Sequence, residues 1–165
     1  MPIDHSEIFA AGPDAVLAVL TQEAFLREWA DALGARVQDL EVTSAGGGRQ
    51  TSVRLLSPTA GIPPLFARFV GAEVSVLLRQ TWTTENGGHR ADLDGHARIF
   101  GRSARVRGER RLTAVPGGTR STVTGDAAVD APLVGRQAEA AVRELVGVVL
   151  RREAEVLTRR LGAGS

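Results

Sequence analysis

Residues 2–10, PIDHSEIFA, read as a short strand. Gly12-Pro13-Asp14 breaks it, with proline suited to a helix first turn, and Ala15 to Leu20 gives a short helix. Thr21 is placed to cap a second helix whose first turn carries Gln22 and Glu23. Phe25, Leu26, Trp29, Ala30 and Leu33 form one apolar face on it, and Gly34 ends it. Two strands, 36–44 and 49–57, flank Gly46-Gly47-Gly48, a hairpin signal, with Leu40 and Val42 alternating on one and Val53 and Leu55 on the other. Three prolines punctuate 57–71, where Leu65, Phe66, Phe69 and Val70 fall at helical spacing, so a loop and a short helix are expected. Four strands follow from 73 to 130, turned at Asn86-Gly87, Gly101-Arg102 and Pro116-Gly117-Gly118. Such short turns force antiparallel neighbours. The chain is then helical over 132–162, with Ala138, Val142, Leu145, Val146, Val149 and Val156 along one stripe.

The turns also predict which side chains share a face. With Asn86-Gly87 as a two-residue turn, Trp82 faces Ala91, Gln80 faces Leu93, Arg79 faces Asp94 and Leu78 faces Gly95. Side chains alternate, so Val74, Val76, Leu78, Gln80, Trp82, Ala91, Leu93, Gly95 and Ala97 form the core face. Arg79, Thr81, Thr83, Arg90, Asp92, Asp94, His96 and Arg98 form the solvated one. The next two turns set Gly95 near Gly108, Leu93 near Arg110, Leu112 near Val123 and Arg110 near Gly125. A slip of two residues would leave these faces unchanged. Gly95, Gly108 and Gly125 are thus inward glycines in mid-strand. They let the sheet curl round the long helix, or leave space for a ligand, and the two roles are compatible. Arg110 falls on the same inward face. A buried lone charge is costly, so it needs a bulge that turns it outward, a partner, water or a ligand. Glu153, three helical turns past Val142 on the same stripe, is the natural partner.

Composition narrows the chemistry. The 165 residues fit one domain, and the chain can bury a core without staples. Twenty basic residues against 19 acidic ones leave a net charge of +1, which argues against a nucleic-acid binder. Every basic residue apart from histidine is Arg, so lysine Schiff bases are excluded. The absence of Cys removes disulfides, thiol nucleophiles and thiolate metal sites, and the absence of Tyr removes a phenolic acid. No basic-then-apolar leader opens the chain and no apolar run approaches a membrane span, so a cytoplasmic protein without stable membrane insertion is expected.

Three constellations invite a sharper reading. His89, Asp92, Asp94 and His96 suggest a metal set, but the last three share the solvated face opposite Arg79 and form a cross-strand charge ladder. Arg98, Arg102, Arg105, Arg107, Arg110 and Arg111 crowd together with only Phe100 as an aromatic among them, too few for a single-strand binder. Gly46-Gly47-Gly48 precedes neither Lys nor a helix and is not a phosphate loop, and no G-x-S-x-G elbow occurs. No metal or cofactor is expected.

The order β, αα, six antiparallel strands and a long C-terminal helix resembles the helix-grip fold of the START-like (SRPBCC) superfamily. Within it the chain resembles uncharacterised bacterial START-like proteins of the domain-of-unknown-function kind. The residues that carry the resemblance are Ile62-Pro63-Pro64-Leu65 to Phe69, Thr81-Trp82, and Val129 to Gly135. It implies an α+β fold in which a curved antiparallel sheet wraps a long C-terminal helix, with two short helices after strand one. One START-like domain over 1–162 and a disordered tail over 163–165 are expected. The resemblance further implies a hydrophobic or amphipathic small-molecule ligand between sheet and helix, such as a lipid, fatty acid or polyketide; from the charge balance, no nucleic-acid partner is expected.

The expected binding residues are Leu78, Gln80, Trp82, Leu93, Gly95, Gly108, Arg110, Gly125, Val149 and Glu153, with Ile62, Leu65, Phe66 and Phe69 as a lid at the mouth. Arg110 would pair with a carboxylate or carbonyl of the ligand, or with Glu153 in its absence. A non-catalytic carrier or sensor is one reading, monomeric or weakly dimeric. An aromatase/cyclase is the other, with Arg110, Gln80 or Trp82 orienting a polyketide and Glu153 and His89 as candidate acid and base. A collapsed domain acting through its surface is a third.

Overall fold

The computed structural model describes residues 2–46, 48–58, 73–99, 102–130 and 135–163. β1 (Pro2–Phe9) leads into α1 (Pro13–Leu20) and α2 (Glu23–Ala32). Then come β2 (Arg36–Ala45), β3 (Gly48–Pro58), β4 (Glu73–Glu85), β5 (Gly88–Ile99), β6 (Arg102–Val115) and β7 (Gly118–Val129). α3 (Gly135–Ala163) closes the described chain. The seven strands form one curved antiparallel sheet in the order β1-β7-β6-β5-β4-β3-β2. Consecutive hairpins account for every neighbour except β1, which pairs with β7 and covers that edge. This is the expected α+β helix-grip architecture. The expected lid residues Ile62, Leu65, Phe66 and Phe69 lie outside the described residues.

Local chemistry explains the short helices. Pro13 sits in the first turn of α1 behind Gly12, where its missing N–H costs nothing. Thr21 is not the cap of α2, contrary to the sequence expectation. It closes α1, its hydroxyl donates back to the Leu17 carbonyl at 2.9 Å, and Arg49 Nη1 donates to it at 2.7 Å. Gln22 takes the N-cap position of α2 without a side-chain hydrogen bond. Gly34 ends that helix in the left-handed region, φ 68°, with its N–H on the Asp31 carbonyl.

The β4–β5 register follows the Asn86-Gly87 turn as read from the sequence, with Leu78 opposite Gly95 and Gln80 opposite Leu93. The next two registers are each shifted by two residues. Ile99 pairs with Arg102, so Gly95 faces Val106 and Leu93 faces Gly108. Val115 pairs with Gly118, placing Pro116-Gly117 at the tip with Gly117 at φ 82°, and Arg110 faces Val123 while Leu112 faces Ser121. A shift of two preserves the face of every side chain, so the inward set stands.

Two apolar clusters fill the concave side. Phe25, Trp29, Trp82, Leu112, Val156 and Leu157 knit α2, the sheet and the C-terminal half of α3. Ile3, Val74, Ala104, Ala127, Val142 and Leu145 pack the N-terminal half of α3 on the other end of the sheet. The second cluster is rich in alanine and leaves less side-chain volume to meet the helix. No described helix is long and apolar enough to cross a membrane.

Candidate functional site: a cavity between sheet and helix

A cavity of about 130 Å³ lies at the seam between the two clusters. Its walls come from both: Trp29 and Leu55 from the first, Ile3, Ala104, Val142 and Leu145 from the second. The middle of the sheet contributes Leu78, Gln80, Leu93, Gly95, Val106, Gly108, Arg110 and Gly125, and α3 contributes Val149 and Glu153. Nine of the residues expected from sequence therefore line one space. Trp82 does not; it is 2% exposed and sits inside the core cluster.

The three inward glycines do different things. A Cβ on Gly108 would lie 2.3 Å from the Thr124 carbonyl oxygen, and one on Gly125 would lie 2.3 Å from that of Arg107. These two face each other across β6 and β7. Only glycine lets the strand backbones approach in this way, so the pair serves the bend of the sheet. Gly95 differs: its Cβ would meet Val106 and Leu78 side chains at 3.6 and 3.7 Å, ordinary contact distances. At Gly95 a methyl would fit against its neighbours without displacing them.

Among the described residues, one buried ion pair breaks the apolar lining. Arg110 Nη2 donates to Glu153 Oε1, and the two side chains are each 6% exposed. The β6 face and the α3 stripe both point into the cavity, which brings these residues together over 43 positions of sequence. Two further polar atoms on the wall, Arg110 Nε and Gln80 Oε1, are buried without a protein partner among the described residues. A buried polar group without a hydrogen bond is costly, so each is an open position for a ligand or water. Trp29 is one of the wall residues absent from the sequence-derived set. Its Nε1 donates to the Val149 carbonyl at 3.3 Å, fixing α2 to α3 at the cavity edge. Its place on the apolar face of α2 marked it as buried; only the packing shows that it borders a void.

The other constellations resolve as surface chemistry. Asp94 accepts two hydrogen bonds from Arg105 at 3.1 Å, and His96 Nε2 is 3.3 Å from Asp94. The Arg105 hydrogen bond holds the Asp94 carboxyl below its usual value, against a smaller opposing effect of desolvation. The charge ladder thus runs to β6, although Arg79 is the cross-strand neighbour of Asp94 on β4. Arg90, Glu109, Arg111 and Glu85 extend the ladder on the outer face. No group of three metal-ligating side chains occurs among the described residues. His89 does not reach the cavity. Its Nε2 is 2.7 Å from Asp14 Oδ1 and its Nδ1 3.3 Å from Thr84 Oγ1, beneath α1. The two candidate groups of a cyclase, Glu153 and His89, are therefore not brought together.

A family model described as a protein of unknown function (DUF2505) matches residues 4–161, and the chain belongs to that family. No curated protein matches. Among solved structures, a protein from Thermus thermophilus superposes with a TM-score of 0.68 at 18% identity, covering 100% of this chain and 99% of the other. One from Rhizobium leguminosarum gives 0.65 at 14% identity, covering 96% and 95%. A START superfamily protein from Mycobacterium smegmatis gives 0.54 at 15% identity, covering 99% of each. At these identities the likeness establishes the START-like fold alone.

Proposed function

From that family and fold, we propose that the protein binds a small hydrophobic or amphipathic ligand in the cavity between the sheet and α3, as a non-catalytic carrier or sensor. The observation that carries this reading is the wall itself: among the described residues, a largely apolar lining that includes a buried ion pair and two buried polar atoms without protein partners. Ligand sites have this composition, an apolar lining with a few placed polar groups that fix orientation. The volume limits the occupant. Pockets for drug-sized molecules span ~300–1,000 Å³, while an apolar cavity of ~150 Å³ takes a benzene-sized guest. At about 130 Å³, this cavity suits a single ring or a short chain, and a long-chain lipid would require the wall to open.

Native mass spectrometry of protein purified without denaturation tests the proposal. A bound species of small mass, released on unfolding, is the expected result. Protein that arrives empty, and stays empty after incubation with small apolar compounds, would overturn it.

A further inference from the structure

We infer that the cavity selects a neutral ligand bearing a hydroxyl or similar hydrogen-bonding group, and discriminates against carboxylates. The inference rests on the ligand-binding reading above and names the chemical class of the occupant. Arg110 is a guanidinium, 5% exposed, and alone would be an anchor for an acid. It is already committed: Glu153, 4% exposed, accepts from its Nη2. Within this buried pair one positive group balances one negative. A ligand carboxylate would bring a second negative charge beside Glu153 within an apolar lining, where a surplus charge is poorly solvated.

Among the described residues, the wall still offers a donor and an acceptor. Arg110 Nε can donate, and Gln80 Oε1 can accept. Gln80 pairs with Leu93 and Leu93 with Gly108, while Arg110 lies two residues beyond Gly108 on the same inward face. Two strand spacings therefore separate Gln80 from Arg110, about 10 Å across the sheet. Leu93 and the side-chain-free Gly108 lie between them. A ring-sized ligand over this floor would have a polar group available at either end. A hydroxyl suits either end, since it can accept from Arg110 Nε or donate to Gln80 Oε1. A carboxylate has no hydrogen to give Gln80.

The test uses three probes of one skeleton, cyclohexanol, cyclohexanecarboxylate and methylcyclohexane, titrated into the whole protein at pH 7 and followed by backbone amide NMR shifts. In the wild type, cyclohexanol should bind at least about tenfold more tightly than the carboxylate. Any apolar cavity disfavours a carboxylate to some degree, so the deciding arm is Glu153→Gln, which leaves the Arg110 charge uncompensated. There the alcohol-to-carboxylate ratio should fall by about tenfold or reverse. Should that variant not fold, Gln80→Leu decides instead: it should weaken cyclohexanol while leaving methylcyclohexane at least as tightly bound. Methylcyclohexane binding together with an unchanged ratio in Glu153→Gln, or equal losses for alcohol and hydrocarbon in Gln80→Leu, would overturn the inference and leave the cavity reading standing. Failure of all three probes to bind the wild type would overturn both.

Discussion

Alanine at Gly95 and alanine at Gly108 should have opposite effects on stability, although both positions lie in mid-strand on the same face. At Gly95 the new methyl meets Val106 Cβ at 3.6 Å and Leu78 Cδ1 at 3.7 Å, and needs no rearrangement. Replacing glycine at a compatible position stabilises by ~0.4–1 kcal/mol through the unfolded chain. The methyl also buries apolar surface worth about 0.8 kcal/mol. Gly95→Ala should therefore stabilise by roughly 1–2 kcal/mol. At Gly108 the Cβ would stand 2.3 Å from the Thr124 carbonyl oxygen and 3.0 Å from Gly125 Cα. Both obstacles are backbone in a paired strand and cannot rotate away. Forced overpacking typically costs ~1–3 kcal/mol, which outweighs the unfolded-chain gain. Urea unfolding at equal m-value reads the difference: with m at about 1–3 kcal/mol per molar, the two midpoints should lie on the order of 1 M apart. Equal midpoints, or a less stable Gly95→Ala, would refute the assignment of Gly108 to the bend and of Gly95 to a site that accepts a methyl without strain.

Arg110→Met should destabilise by about 3–5 kcal/mol in the same assay, because it leaves the Glu153 carboxylate buried without a partner. The double variant Arg110→Met with Glu153→Leu should recover most of that loss; a double variant as unstable as the single would show that Arg110 acts through packing instead. Asp94 supplies a pH-dependent effect. Its folded carboxyl titrates below the ordinary value, so its contribution is present above the unfolded pKa of about 3.9 and is lost as pH falls through the lower folded value. The pair is 38 and 41% exposed, so Asp94→Asn should cost less than about 1 kcal/mol at neutral pH and nothing near pH 2; a cost that persists at acid pH in urea melts would contradict the Arg105 pairing.

The parts of this molecule that follow from strict alternation were legible in the sequence. Leu78, Gln80, Leu93, Gly95 and Arg110 lie on the inward face because side chains alternate, and that holds even where the register does not. The slip at the β6–β7 turn has a plain cause. Asn86-Gly87 has one favoured turn geometry, whereas a tip such as Pro116-Gly117-Gly118 offers two placements for the left-handed glycine. Thr21 misled for another reason: a threonine between two abutting helices can cap the second or close the first, and here its hydroxyl bonds back to Leu17. The cavity was the least legible feature. A sequence tells which face a side chain takes, but a void is the volume left over after packing. It depends on how far the Gly108–Gly125 bend carries the sheet from α3. Trp29 and Leu33 accordingly read as core residues and turn out to border the space.

Intermolecular nuclear Overhauser effects between bound cyclohexanol and the protein test the location of the site most directly. Contacts to the methyls of Leu78, Leu93, Val106 and Val149 are expected, since these border the cavity from the sheet and from α3. A ligand that shows contacts only to residues of the outer sheet face, or none to these four methyls at saturation, would contradict the account.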